Sequence, residues 1–304
     1  MTTNGNETIS PEVADDFLAT FCRGLNDDNK FSRKGCLVKI RSSINERSSG
    51  EEVSKAFEVV FKDVLRSFKD PSEACRENAV LLVSDVIGKM PSVEPFLTFI
   101  ITVVAKRIGL DDEKEPAEEI RLLLIKLLIA LMKNSADCNL TPCLDDLSTI
   151  LCKGLADNFP EMKLASCECT KLLANTIPKQ FHVQSETFLK ALIPGAVHKH
   201  SKVRTAFIST IGTDAELLYL FGKSTNNLGF SGIVVRFGTH NLVEKVAPVL
   251  GERLYDSNPS VRKEVILTGG EWLLNLPDRY GQFCRIIPLV VTGSGRIKVF
   301  KAIT

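Results

Sequence analysis

From residue 57 onward the apolar positions fall at Phe57, Val60, Phe61, Val64, Leu65 and Phe68, and after a short polar break they resume at Val80, Leu82, Val83, Val86 and Ile87. Spacings of three and four place side chains on one face of an α-helix, so this stretch predicts two amphipathic helices joined by a turn. The same order returns along the chain: an amphipathic helix, a turn carrying Asp or Pro, then a second apolar helix. One hairpin cannot bury both of its helices, whereas stacked copies share a core, so the pattern predicts a repeat array. Two denser apolar runs, FLTFIITVVA at 96–105 and LLLIKLLIAL at 122–131, are half a bilayer span long, and Lys126 interrupts the second. They predict helices buried in protein, with no membrane span.

A basic residue one turn into each second helix sets the register. KFSRKGC carries Arg33, SEACREN Arg76, AEEIRLL Arg121, PEMKLAS Lys163, SKVRTAF Arg204 and PSVRKEV Arg262, at intervals of 43, 45, 42, 41 and 58 residues. A period in the low forties is the mark of a helical solenoid. In LYDSNPSVRKEV (254–265), Asp256 can accept hydrogen bonds from amides exposed at a helix start and Pro259 suits a first helical position. Arg262, forked and permanently charged, can bridge carboxylates across a hairpin seam.

Period, helix pair and turn together resemble HEAT repeats, most clearly in FKDPSEACREN (68–78), LADNFPEMKLA (155–165) and LYDSNPSVRKEV. The resemblance implies an all-α, right-handed α-solenoid of about six HEAT helix-hairpin repeats plus a partial seventh. It also implies a ladder of charge-assisted hydrogen bonds between neighbouring repeats, with Asp70, Arg76, Asp111, Arg121, Asp157, Lys163, Arg204, Asp256 and Arg262 as its candidates. Two units depart from the pattern: Lys163 stands where the others have Arg, and AVHKHSKVR has neither turn Asp nor Pro. In those two units the turn motif itself gives the ladder no support, although Lys163 and Arg204 stay among its candidates. The first unit, GLNDDNKFSRKGC, also lacks Pro and reads as an end cap.

The expected organisation is a disordered N-terminus at 1–9, a repeat array at 10–292 and an irregular tail at 293–304. The 58-residue interval exceeds its neighbours by roughly fifteen residues, predicting an irregular insert at about 213–239, a surface loop or spliced segment. A helix is expected from about 278 to 291. The pattern stops half-way through a seventh unit, so the sequence resembles the N-terminal part, or a truncated isoform, of a longer array.

Composition narrows the function. With 38 Lys+Arg against 37 Asp+Glu, the net charge of +1 gives no electrostatic argument for nucleic acid or a membrane surface. Lys199, Lys202 and Arg204 form the local cationic group along the sequence, and three Tyr and one Trp leave little for bases to stack on. The polar start MTTNGNETISPE lacks the basic and apolar segments of a secretory signal, which predicts a protein of the cytosol or nucleus, with the cytoplasm as the expected location. Nine cysteines scattered through helical patterns read as free core thiols, and Cys167 and Cys169, two apart on a helix, make a poor chelate.

Candidate chemistry is thin. FGKS at 221–224 lacks the glycine that a phosphate loop needs, since Leu217 occupies that place. HKH at 198–200 reads as a polar turn. The pairs Asp27-Asp28, Asp111-Asp112 and Asp145-Asp146 sit where helices start and read as caps. With no nucleophile elbow, no enzyme, metal or cofactor is expected, and Trp272 is expected to pack between helices.

An array of hairpins suits the holding of other proteins. Longer motifs resemble the HEAT-repeat dynein axonemal assembly factors: QFHVQSE (180–186), HKHSKVR (198–204), FGKS and GEWLLNLPDRYGQFCRIIPLV (270–290). The likeness runs from about 140 to 292 and more loosely before. It implies a cytoplasmic factor, partnered by axonemal dynein intermediate or heavy chains and by chaperones, that helps preassemble inner and outer dynein arms for motile cilia. The competing reading is a generic HEAT scaffold such as a transport receptor or a phosphatase regulatory subunit; a receptor of that kind should carry acidic inner helices, and this chain is neutral.

Overall fold

The computed structural model describes residues 11–110, 114–135, 138–212, 240–275 and 280–294. Among them there are helices and no strands. The chain divides into two compact units, Met1–Asn139 and Leu140–Thr304.

The first unit holds three hairpins: α1 (Pro11–Gly24) with α2 (Lys30–Asn45), α3 (Gly50–Arg66) with α4 (Glu73–Ile87), and α5 (Glu94–Ala105) with α6 (Glu118–Lys133). Second helices pack in series, α2 on α4 and α4 on α6, while α1 packs on α3. The periodicity explains the seam: Val53, Ala56, Phe57, Val60 and Val64 of α3 are buried on one face, Val80, Val83 and Ile87 of α4 are buried as well, and the two helices pack on one another. Burying a side chain such as Phe57 contributes about 1.5–3 kcal/mol.

Local chemistry fixes the helix ends. The Asn29 side chain accepts the Phe31 amide at the start of α2, and the Ser49 hydroxyl accepts the Glu52 amide at the start of α3. Glu52 in turn accepts the Ser48 amide at 3.1 Å, a variant of the reciprocal cap. The run at 96–105 forms α5, which gives way to a wide turn at Lys106–Leu110 containing Gly109 at φ 112°. A side chain is strained in that left-handed region, which is why glycine ends this helix.

The second unit holds α7 (Leu144–Ala156) with α8 (Pro160–Thr176), α9 (Pro178–Leu192) with α10 (Ser201–Ile211), α11 (His240–Arg253) with α12 (Pro259–Asn275), and then α13 (Phe283–Ser294). Pro160, Pro178 and Pro259 open their helices at the position where a missing N–H costs nothing. Second helices again stack, α8 on α10 and α10 on α12, and first helices α7 on α9 and α11 on α13. The described residues thus make six hairpins and the first helix of a seventh. The architecture is an all-α solenoid of hairpin repeats.

At the sequence boundaries the picture is more limited. Residues 1–9 and the segment at 213–239 lie outside the described residues, as does the tail beyond Ser294. The helix expected from about 278 instead begins at Phe283 after a single tight turn at Tyr280–Gln282, and runs on to Ser294.

Candidate functional site: the turn staple and its rungs

Counting six residues back from each basic residue gives Asp27, Asp70, Glu115, Asp157, His198 and Asp256. At every one of these turns the side chain accepts the amide two residues ahead. The distances are 2.8 Å for Asn29 to Asp27, 2.7 Å for Ser72 to Asp70, 3.1 Å for Ala117 to Glu115, 2.9 Å for Phe159 to Asp157 and 2.9 Å for Asn258 to Asp256. At the fifth turn His198 does the same through Nδ1, which accepts the His200 amide at 3.1 Å. A side-chain acceptor two residues before an amide closes a local turn without the backbone supplying the bond.

The basic residue then ties the turn down. Arg33 donates to the carbonyls of Asp27 and Asp28, Arg76 to those of Asp70 and Pro71, and Arg121 to those of Glu115 and Pro116. Arg204 donates to His198 and Lys199, and Arg262 to Asp256 and Ser257. Lys163, without a fork, reaches a single carbonyl, that of Leu155, at 2.8 Å.

The donors left over reach the neighbouring repeat. Arg33 meets Asp70 through Nε at 2.6 Å and Nη2 at 2.9 Å, and Arg76 meets Glu115 through Nε and Nη2, both at 2.8 Å. Arg204 Nη2 meets Asp256 at 2.7 Å. One guanidinium therefore closes its own turn and holds the next, a use of the planar fork that lysine cannot copy. The Arg204–Asp256 rung spans the long 58-residue interval with the same partners as the shorter ones.

Among the sequence candidates, Asp70, Arg76, Arg204 and Asp256 stand in these rungs. Arg121, Asp157, Lys163 and Arg262 stand in turn closures, and Asp111 lies outside the described residues. Arg33 and Asp27, though in the register, were left out of the ladder candidates, and Glu115 and His198 were missed altogether. Glu115 is 1% exposed and also takes Arg107 Nη2 at 2.6 Å, so one carboxylate is shared by two nearly buried guanidinium groups. Both missed residues could have been found by counting back six from the basic residue in place of searching for Asp.

The electrostatics follow the bonding. Burial alone would raise the carboxyls of Asp70, Glu115 and Asp256, but the guanidinium bonds and a turn amide outweigh it, leaving all three below the usual carboxylate range. Burial, then the nearby Lys163 and His200, hold His198 below the usual histidine value. Burial pushes the Cys167 thiol up to about 12 and the Cys22 thiol to about 11, so neither is a ready nucleophile. Five cysteines are buried, while Cys284 departs from the core reading by being exposed. Trp272 is fully buried on α12. Among the described residues no group of acidic, His and Cys side chains is arranged to hold a metal ion.

Stacked helix hairpins joined by this staple define a helical-repeat protein of the HEAT and armadillo class. A computationally designed armadillo-repeat protein for modular peptide recognition shares the fold at a TM-score of 0.52 and 16% identity, over 81% of this chain and 96% of that one. An engineered protein does so at 0.51 and 12% identity, over 90% and 98%. The sequence matches the family described as dynein axonemal assembly factor 5-like, TPR repeats, over residues 24–220 and 225–296, and the chain belongs to that family. The intervals in the low forties are longer than the 34 residues of a TPR and fall in the range of HEAT and armadillo units.

Proteins named dynein axonemal assembly factor 5 are similar along the chain. The Xenopus laevis protein is 31% identical over 97% of this chain and 32% of its own length. The Homo sapiens protein is 30% identical over 95% and 32%, and the Drosophila melanogaster protein 28% identical over 84% and 28%. The chain spans about a third of the length of these relatives.

Proposed function

We propose that this chain is a non-enzymatic holding module in the assembly of axonemal dynein arms, acting in the cytoplasm before the arms reach motile cilia. Family membership carries the reading, since the relatives are named for dynein assembly. The repeat architecture supports it, because stacked hairpins offer an extended surface suited to gripping a protein chain. In this reading the array holds a dynein intermediate or heavy chain while its subunits pair, and any nucleotide-driven work belongs to partner chaperones. Among the described residues no helix is long and apolar enough to cross a membrane, which is compatible with a cytoplasmic site of action.

The test is affinity capture of the chain from the cytosol of ciliating cells, combined with electron microscopy of axonemes from cells lacking the gene. Dynein arm subunits and heat-shock chaperones in the capture, and axonemes without arms, are the expected results. Intact arms, or capture of transport or phosphatase machinery instead, would overturn it.

A further inference from the structure

The first helices of neighbouring hairpins leave grooves between them, and these grooves differ in kind. Between α7 and α9 the walls are polar, with Asp145, Thr149 and Gln184, and Gln184 crosses to Asp145 at 3.1 Å. Between α11 and α13, Arg285 crosses to Glu244 at 2.5 Å. Between α3 and α5 the facing residues are aromatic: Phe61 and Phe99 meet edge to face at 5.5 Å, and Leu65 and Val103 complete an apolar floor. This groove has a volume of about 580 Å³, within the usual range for a ligand-binding cleft.

The floor is built to stay in place. Phe61 packs edge-on against Phe96 at 5.3 Å, and Phe96 against the fully buried Phe57 at 5.0 Å, so the aromatic chain runs from the core to the surface. Phe99, at its outer end, is 53% exposed. Around the floor stand Lys62, Arg66, Lys69 and Lys106, and no carboxylate lines the groove. Arg66 and Lys69 stand at its edge and also border a neighbouring cleft that holds Asp63 and Asp70, Asp63 taking one guanidinium nitrogen of Arg66 at 2.8 Å, whereas Lys62 and Lys106 border only the apolar groove among the clefts described. In a chain of net charge +1, four cations around one apolar cleft are a marked local excess.

We propose that the groove between α3 and α5 is a docking site for an acidic segment of another protein, which seats apolar anchors on Phe61 and Phe99 and its carboxylates against the four cations. Aromatic anchors ringed by complementary charge are the arrangement in which a few residues carry most of the binding energy. A membrane surface is the poorer fit, because its binders project apolar residues from a helix face, whereas this floor is recessed between two helices. Nucleic acid is poorer too: successive bases stack on ring faces, and Phe61 and Phe99 stand edge to face at an interplanar angle of 61° and so form no continuous stacking platform. The proposal goes beyond the dynein reading and stands or falls separately from it.

The test uses the whole 304-residue chain and a fluorescein-labelled synthetic helix in which Leu and Phe recur at helical spacing among Glu and Asp. Two control peptides replace the acids by Gln and Asn, or the apolar residues by Ser. Saturable binding of the acidic peptide, weakened at least about tenfold by Phe99→Ser and by the pair Lys62→Glu and Lys106→Glu, and weakened again by added salt, is the expected result. Amide exchange slowed at α3 and α5 when the peptide binds the unsubstituted chain reads the same contact without any change of residue. Equal affinity for the uncharged peptide, indifference to Phe99→Ser, or tighter binding of phosphatidylserine vesicles or oligothymidine at the same residues would overturn the proposal.

Discussion

At the scale of single residues, the six turns show one task performed by three side-chain types. Aspartate, glutamate and histidine all supply an acceptor two residues before an amide, but they differ in what else they offer. A carboxylate also answers the guanidinium of the preceding repeat, as Asp70 and Asp256 do for Arg33 and Arg204. Histidine accepts its amide only while neutral, and it lies near the charge of Lys163, the one departure from arginine. The sign of the pH response follows. Because folding lowers the His198 value, the unfolded chain binds that proton first, and stability is lost as pH falls below the ordinary histidine range. The lowered carboxyls give a second loss, in more acidic solution, as pH drops through the ordinary carboxylate range. A plot of Tm against pH should therefore fall in two stages. His198→Asn, which keeps an acceptor but cannot be protonated, should remove the upper stage and leave the lower one; persistence of the upper stage in that variant would contradict this account.

The arginines were legible because a permanently charged residue at a steady interval stands out against apolar helices. Their partners were harder to see, since the position requires an acceptor and a reach, not a particular letter. Glu115 serves with its longer side chain in the wider connection after α5, and His198 serves through a ring nitrogen, so a search for aspartate passed over both.

At the scale of helices, close approach between elements sets the tolerances. The single turn at Ile193–Val197 lies so near α10 that a Cβ on Gly195 would fall 1.8 Å from the Phe207 ring, and Phe207 is fully buried. Gly195→Ala should cost about 1–3 kcal/mol of stability through forced repacking. Gly35, within α2, has open space around the same atom, and Gly35→Ala should instead raise stability by up to about 1 kcal/mol. Chemical denaturation of the two variants beside the parent checks both signs. Periodicity made the helices themselves readable, including the dense runs that became α5 and α6, because burial on one face leaves a regular trace in the sequence. The groove between α3 and α5 left no such trace. Lys62, Arg66 and Lys69 follow one another at helical spacing but stand beside Asp63 and Asp70, and the whole of α4 separates them from Lys106, so only folding brings Lys62 and Lys106 to the same rim.

At the scale of the molecule, each of the two units is a series of described neighbours, repeat packed on repeat. Damage should then stay local. Glu115 is shared by Arg76 and Arg107, and removing its charge takes the carboxylate away from two nearly buried guanidinium groups. Glu115→Gln is expected to destabilise the first unit by about 3–5 kcal/mol. Hydrogen exchange should quicken in α4 and α6, while α8, α10 and α12 keep their protection. A uniform loss of protection through both units would show that the repeats unfold as one block.

The Arg204–Asp256 contact has a practical corollary. Two repeats parted by some fifteen additional residues still meet through the same acid and base as repeats without them, so contour length between α10 and α11 is not what places α12. A reporter such as an epitope or a small fluorophore-binding tag, grafted between those two helices, should leave the stack unaltered and give cell biologists a handle on the protein away from either terminus.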